Sequence, residues 1–211
     1  MTPQIDMKVI ELVCSRLCHD LVGPVGAVNN GIELLEDFDP STAEDVLPLL
    51  QTSARQAWRR LDFFRLAFGA AGGRETWPMA ELGRYAVGWF EGGKVILAWP
   101  DDAAVGTLEI AAVQAKLLLH LALIAGEALP RGGTVTVAPP AGGSGDLLAL
   151  RAEGRGAALH PRVEAVLAGE DEDLDARSIP AHLALLLARS AGLALVVDRG
   201  TDRVSLLCRT G

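Results

Sequence analysis

The most constraining feature of this sequence is a long helical repeat of apolar residues near its N-terminus. From about Asp6 to Asp37, apolar side chains recur at spacings of three, four and seven residues. At about 100° per residue, these spacings place them on one face of a helix. The face is formed by Ile10, Cys14, Leu17, Leu21, Val28 and Leu35. A helix of this kind needs a partner that covers its apolar stripe.

A second amphipathic helix follows after a short turn. Pro40 is predicted to stop the first helix, and Ser41 or Thr42 to cap the second, which runs to about Ala67. Its apolar face is formed by Val46, Leu50, Ala54, Ala57, Leu61, Phe64 and Phe68. Two such helices make an antiparallel hairpin, which can cover only one face within itself. We therefore expect two hairpins to pair as a C2-symmetric homodimer with a four-helix bundle.

A glycine-rich break, GAAGGR at Gly69 to Arg74, marks the predicted domain boundary and divides the chain into residues 1–72 and 73–211. Beyond it, helical and strand patterns alternate. Helices are predicted at Trp77 to Phe90, Ile110 to Leu129 and Ile179 to Ala191, and strands at Lys94 to Trp99, GGTVTVAP, DLLALRAEG, ALVVDR and RVSLLCR. Helices interleaved with mostly antiparallel strands predict an α/β sandwich, so the whole chain is assigned to the α+β class.

Charge and hydropathy limit the classes of partner. The 211 residues carry a formal net charge of −8 and a pI near 5.0, which argues against a nucleic acid held through its phosphates. The most apolar run, Leu117 to Gly126, is interrupted by His120 and is far shorter than the ~20 residues of a membrane span. No signal-peptide pattern is visible, and three cysteines do not make a disulfide framework. We therefore expect a cytoplasmic protein that binds neither nucleic acid nor membrane.

The first helix carries a histidine on the side opposite its apolar stripe. His19 lies two residues from both Leu17 and Leu21, so it points almost directly away from them. The residues near it on that side are Ser15, Arg16, Asp20, Gly23, Gly26 and Asn30. Each glycine costs about 1 kcal/mol in helix propensity and Pro24 costs more, which indicates a surface shaped for close approach by another molecule. An exposed histidine alone would indicate only a solvated residue.

The string HDLVGP, from His19 to Pro24, resembles the H-box of histidine kinase dimerisation domains. The longer string SRLCHDLVGPVGAVNNGIELLED, from Ser15 to Asp37, is more closely similar to the ChpT-type histidine phosphotransferases of bacterial phosphorelays. This resemblance implies that His19 is the phosphoacceptor, that the helix is kinked at Pro24, and that the protein is a homodimer. It also implies two partners, a response-regulator receiver domain that donates the phosphoryl group and one that accepts it.

The segment KLLLHLALIAGEALPRGGTVTV resembles the N-box helix and following strand of the histidine kinase ATP-binding domain. His120 and Ile124 match the asparagine pair of that family, and isoleucine offers no oxygen to Mg²⁺. Ala152, in AEGRG, stands where the family has the aspartate that recognises adenine, and RSIPAHLALLLARSAGL stands where it has a glycine-rich phosphate loop. The resemblance therefore implies a kinase-like fold that has lost ATP binding, so we expect no cofactor or metal on this chain.

The same resemblance implies roles for the residues around His19. Without ATP, His19 would receive its phosphoryl group from a receiver aspartate, with Mg²⁺ supplied by the receiver. Asp20 is either a partner that orients the imidazole or accepts its proton, or an ordinary acid on the helix surface. Arg16 would pair with phosphate oxygens or an acidic receiver loop, and Gly23 cannot position a hydrolytic water. The docking surface is expected to include Ser15, Arg16, Gly23, Gly26 and Asn30.

Two other functions compete with this interpretation. One is a divergent ATP-dependent histidine kinase, which the missing Mg²⁺ and adenine ligands oppose. The other is a non-catalytic adaptor that docks receiver domains, which the intact His19 and Asp20 oppose. A metal site at Cys14, Cys18 and His19 is disfavoured because Cys14 lies in the predicted buried stripe and no second group of ligands follows. His120, on an apolar helix, is interpreted as a core histidine.

Overall fold

The computed structural model describes residues 6–36, 40–69, 73–138, 146–170 and 173–210. It has the predicted α+β character, with a helical hairpin followed by helices interleaved with strands. The helices are α1 (Met7–Glu36), α2 (Pro40–Ala67), α3 (Met79–Phe90), α4 (Ala103–Gly106), α5 (Ala112–Glu127), α6 (Pro161–Leu167) and α7 (Ile179–Ser190). The strands are β1 (Thr76–Pro78), β2 (Val95–Ala98), β3 (Glu109–Ala111), β4 (Gly133–Ala138), β5 (Asp146–Glu153), β6 (Leu193–Gly200) and β7 (Arg203–Thr210). No helix in these described ranges is long and apolar enough to cross a membrane.

Helices α1 and α2 form the predicted antiparallel hairpin. Gly31 of α1 lies against Leu50 of α2, so closely that a Cβ at Gly31 would come 2.7 Å from Leu50 Cδ2. Further along, Arg60 of α2 donates a hydrogen bond to the backbone oxygen of Asp20 in α1. Residue numbers therefore rise along one helix as they fall along the other, and the glycine lets the two backbones approach.

The predicted start of the second helix is corrected by one or two residues. Helix α2 begins at Pro40, whose fixed φ suits the first turn of a helix. Ser41 and Thr42 consequently lie inside the first turn and not at the predicted cap position. The turn itself, residues 37–39, and the side chains of these two residues lie outside what the structure describes.

The predicted apolar stripe of α1 is right in its C-terminal part and wrong at its N-terminal end. Leu17 and Leu21 are half-buried, as are Val28 and Leu35, whereas Ile10 and Cys14 are exposed in the single chain. At this end of the hairpin, α2 directs its buried side chains into the second part of the chain. The first turns of α1 are therefore left in solvent.

The second part of the chain is a two-layer sandwich built on a five-stranded sheet. The strand order is β2-β4-β5-β7-β6, and β2 with β4 is its parallel pair, so the sheet is mostly antiparallel as predicted. Helices α5 and α7 pack on one face of the sheet, and α6 packs on α7. The other face is more open, since Ile96 on β2 is exposed while its neighbour Leu97 is buried.

Two predicted helices begin later than expected because their first residues pair as strands. Trp77 lies in β1 and Ile110 in β3, and the two strands form a small antiparallel sheet in which these residues are partners. Both side chains are buried. Burying a flat aromatic and a β-branched residue against each other stabilises a strand pair, so helix α3 starts at Met79 and α5 at Ala112.

The hydrophobic core is continuous across the predicted domain boundary at residue 72. The last turns of α2 contribute Phe63, Phe64, Leu66 and Ala67 to the same cluster as α3, α5 and the sheet. Trp89 of α3 packs against them, with ring centroids 4.8 Å from Phe63 and 5.1 Å from Phe64. The end of the hairpin is thus held by the second part of the chain, which fixes the position of α1 relative to α5.

Candidate functional site

His19 lies near the middle of α1 with its imidazole in solvent. Its side chain is 81% exposed, which confirms the prediction that it points away from the packed face. Its Nδ1 lies 3.0 Å from Asp20 Oδ1. A carboxylate can only accept, so this contact favours the tautomer with the proton on Nδ1 and leaves the lone pair on Nε2.

Asp20 is held on both of its carboxylate oxygens. Oδ1 faces His19, and Oδ2 accepts a hydrogen bond of 2.6 Å from Arg16 Nε, one helical turn back. The side chain of Asp20 is only 12% exposed. Its backbone oxygen accepts a further hydrogen bond from Arg60 of α2. An ordinary acid on the helix surface would be free to rotate. The fixed carboxylate of Asp20 therefore favours a role in orienting the imidazole over that of an ordinary surface acid.

Arg16 is not the exposed residue that the sequence predicted. It is 6% exposed and lies between Asp20 and Glu127, the last residue of α5, to which its Nη2 donates. The prediction is wrong because the side chain of Arg16 turns toward the end of α5, where Glu127 accepts its hydrogen bond, and not into solvent. Burial alone would lower the pKa of the Arg16 guanidinium, but the charges of Glu127 and Asp20 raise that pKa above its ordinary value. Arg16 is therefore a fixed cation inside the structure and not a free group on its surface.

The remaining predicted residues follow α1 away from His19. Ser15, Gly23 and Asn30 are exposed, and Gly26 is half-buried. No atom outside the immediate helix lies within 4 Å of where a Cβ would stand at Gly23 or Gly26, so both glycines leave open space. Pro24 is buried within the continuous helix α1. A kink at Pro24, and docking at the other residues, stay predictions.

A cavity of about 850 Å³ opens beside His19, between α1 and the second part of the chain. Its apolar wall consists of Ile124, Ala128, Leu129, Leu159 and Val163, and its polar lining includes Arg16, His19, Asp20, Lys94, Glu127, His160, Asp175 and Arg177. Several of these residues were missed from the sequence. Glu127 is the clearest case, because its partner Arg16 is 111 residues away and no local pattern links them.

The positions that match the nucleotide-binding residues of kinases are filled by packed side chains. Ile124 is 3% exposed and Ala152 is fully buried in β5. His120 is 1% exposed, with its ring centroid 4.9 Å from that of Phe68. Its Nδ1 lies 2.8 Å from the backbone oxygen of Lys116, while its Nε2 has no hydrogen-bond partner. Burial lowers the pKa of His120 to about 4, so the imidazole is neutral and belongs to the core, as predicted.

The structure corrects one further prediction and leaves one region outside it. Cys14 and Cys18 are both exposed, so Cys14 is not buried as expected. Within the described ranges, no three or more His, Cys, Asp or Glu side chains form a group that could hold a metal ion. The segment AEGRG ends in a tight turn, where Gly156 N donates a hydrogen bond of 2.7 Å to Asp202 Oδ1. The loop PPAGGSG at residues 139–145 lies outside the described residues.

Comparison with known proteins gives consistent matches over the whole chain. The family model for the histidine phosphotransferase C-terminal domain matches residues 79–203. Protein phosphotransferase ChpT of Brucella abortus (strain 2308) is 34% identical over 196 residues, which make up 92% of this chain and 91% of that protein. The solved structure of a bacterial phosphotransferase has a TM-score of 0.83 and 31% identity, over 99% of this chain and 98% of its own. The similarity therefore extends to both the hairpin and the sandwich.

Proposed function

Because this chain belongs to the family of ChpT-type histidine phosphotransferases, we propose that His19 accepts a phosphoryl group from one receiver domain and passes it to another. The observation that carries the proposal is the asymmetry of the imidazole. Nδ1 is turned to Asp20, while the exposed ring presents Nε2 to an incoming partner. A neutral imidazole nitrogen with a free lone pair is a competent nucleophile near neutral pH.

The transfer step follows from this geometry. Nε2 attacks the phosphorus of an aspartyl phosphate, a P–N bond forms, and the P–O bond to the receiver carboxylate breaks with its electron pair on oxygen. The Nδ1 proton stays in its hydrogen bond to Asp20, which stabilises the positive charge that the ring gains. The reverse step returns the phosphoryl group to a second carboxylate. Mg²⁺, which such transfers use to neutralise the moving group, would be bound by the receiver and not by this chain.

We propose further that the protein does not use ATP. The support lies in the cavity beside His19, whose wall carries the aliphatic Ile124 at the position of a Mg²⁺-binding asparagine. Ala152, at the position that would recognise adenine, is buried within the sheet and has no polar side-chain atom. A nucleotide would meet an apolar wall where a kinase offers oxygen ligands.

The docking surface of the receiver is proposed to be the exposed side of α1. Ser15, Gly23, Gly26 and Asn30 flank His19 there, and the glycines allow close approach. Gly23 offers no side chain that would hold a water near His19, which favours shuttling of the phosphoryl group over its hydrolysis. Arg16 is left out of this surface because it is buried.

We also propose that the protein is a homodimer whose hairpins pair as a four-helix bundle. Among the described residues, ten exposed large apolar side chains lie on α1 and α2, against four on the rest of the chain. The ten are Met7, Ile10, Val22, Val25, Ile32, Leu34, Leu47, Leu49, Trp58 and Leu61. A concentration of this kind on two adjacent helices is typical of a surface that a second copy covers.

The proposed function is tested by phosphotransfer with purified protein. Wild type, His19→Gln and His160→Asn would each be mixed with a phosphorylated receiver domain, and in parallel with ATP alone. His160→Asn is the matched control, since His160 is an exposed histidine at the start of α6, where asparagine can also cap the helix. We expect acid-labile label on wild type and His160→Asn, none on His19→Gln, and none from ATP.

Other outcomes would point to the competing functions. Label from ATP alone would identify a histidine kinase and refute the interpretation of Ile124 and Ala152. Stable binding of the receiver without any label would leave the non-catalytic adaptor. Label on His19→Gln would place the phosphoacceptor elsewhere in the chain.

A further inference from the structure

A chain of polar contacts connects the second part of the protein to His19. Glu127 accepts a hydrogen bond from Arg16 Nη2, Arg16 Nε donates to Asp20 Oδ2, and Asp20 Oδ1 faces His19 Nδ1. Each link uses a different atom of a planar group. The position of Glu127 therefore constrains the orientation of the His19 ring, because a planar guanidinium or carboxylate cannot move one edge without moving the other.

The polar contacts are anchored on α5, the most deeply packed of the helices that the structure describes. Helix α5 has ten buried residues within Ala112–Glu127, and Glu127 is its last residue. A carboxylate at a helix C-terminus faces the negative end of the helix dipole, which is unfavourable. The positive charge of Arg16 offsets that cost, so the ion pair with Arg16 accounts for a carboxylate at this end of α5.

Arg16 requires both of its carboxylates. A buried cation with one partner would keep donors unsatisfied, and the guanidinium would be free to rotate toward the cavity. Glu127 occupies Nη2 and so holds the plane of the guanidinium in the orientation that presents Nε to Asp20. Arg60 fixes the backbone at the same residue through the carbonyl oxygen of Asp20.

We propose that Glu127 is a positioning residue for His19, acting through Arg16 and Asp20 to hold the imidazole in its Nδ1–H tautomer. The inference rests on the proposed function in one respect, namely that Nε2 of His19 is the reacting nitrogen. In this proposal the second part of the chain has a function that needs no nucleotide, because the end of α5 determines the tautomer of His19 on α1.

The test measures the tautomer directly, by long-range ¹H–¹⁵N correlation of histidine-labelled, unphosphorylated full-length protein above the pH at which histidine protonates. In wild type we expect His19 to be mainly Nδ1–H. Glu127→Ala should shift the ratio toward Nε2–H about fivefold, the change expected when one ordinary hydrogen bond is lost. Glu127→Gln keeps an oxygen that accepts from Arg16, and it should restore the wild-type ratio.

The control is a second ion pair between the hairpin and the sandwich. Arg59 and Glu91 lie 2.7 Å apart, and Glu91 is exposed like Glu127 but has no link to Asp20. Glu91→Ala should therefore leave the His19 tautomer unchanged. If Glu91→Ala shifts it as much as Glu127→Ala does, the effect is a general loosening and the proposal fails.

Phosphotransfer rates separate this inference from the proposed function. We expect Glu127→Ala to accept phosphate from the receiver more slowly by about twofold or less, with receiver affinity unchanged, because a fivefold shift from a mainly Nδ1–H ratio still leaves much of that tautomer in place. An unchanged tautomer ratio in Glu127→Ala would overturn the inference even if transfer proceeds. A shifted ratio in a protein that accepts phosphate from no receiver would uphold the positioning chain and overturn the proposed function instead.

Discussion

Replacing His120 by leucine tests whether the position that matches a kinase nucleotide ligand is sealed inside the core. His120 has an ordinary pKa of 6.5, and burial lowers that pKa to about 4. Between these values the unfolded chain binds a proton at this residue and the folded chain does not. The stability of wild type must therefore fall as the pH drops from 6.5 toward 4, and this loss should be absent from His120→Leu.

The size of the effect follows from the difference between the two pKa values. At about 1.36 kcal/mol for each pKa unit, a drop from 6.5 to about 4 corresponds to about 3 kcal/mol lost by wild type relative to the variant. Lys116 and Arg16 add to the cost of protonating His120, since both are cations near the ring. Near neutral pH the two proteins should differ by about 1 kcal/mol, because leucine has a comparable volume, Nε2 of His120 has no partner to lose, and the variant loses the one hydrogen bond between Nδ1 and the backbone oxygen of Lys116.

The measurement is urea unfolding followed by circular dichroism, at fixed protein concentration, from about pH 7.5 down to about pH 4.5. His160→Asn serves as the control, since it removes an exposed histidine and should keep the pH dependence of wild type. Parallel stability curves for wild type and His120→Leu would refute the reasoning. They would mean that His120 is reached by solvent and that its position remains open to a ligand.

Three further predictions concern the turn, the loop beside the cavity and the dimer. Gly154→Ala should destabilise the protein by about 2 kcal/mol in urea unfolding, because its Cβ would lie 2.4 Å from the backbone oxygen of Gly132; a change below about 0.5 kcal/mol would contradict that close approach. Burial tends to raise the pKa of Asp175, but its hydrogen bonds from the following turn lower that pKa below its ordinary value of 3.8. Asp175→Asn should therefore lower the free energy of unfolding by about 1 kcal/mol near neutral pH, and by nothing once the pH has fallen through the folded pKa. Urea unfolding at several pH values measures this difference. Leu61→Glu should convert a dimer to monomers in light scattering, whereas Leu186→Glu, at a similarly exposed leucine of α7, should not; a monomeric wild type would refute the bundle.

The parts of the fold that sequence predicts are those with a strong local signal. The helical spacing of Leu17, Leu21 and Val28 places His19 on the open side of α1, and the structure agrees. The central strands of the sheet follow from runs of valine and leucine bounded by glycine. A local pattern predicts helices at Trp77 and Ile110 because it cannot detect their pairing, which joins residues 33 positions apart along the chain.

The candidate site shows the same division between local and distant information. His19 and Asp20 are neighbours in sequence, so their contact was foreseeable. Helical spacing alone places Arg16 near His19 and therefore predicts it in solvent, which is wrong. Its burial depends on where α5 ends, which is a property of the tertiary packing.

The shared core at the end of α2 means that this protein is not modular. Phe63, Phe64 and Leu66 belong to the hairpin by sequence and to the sandwich by contact. A fragment cut at the glycine-rich break would carry these side chains into water and leave Trp89 uncovered in the remainder. Helices α1 and α2 therefore cannot be transferred to another protein as an independent unit, and the two parts of the chain are constrained to change together.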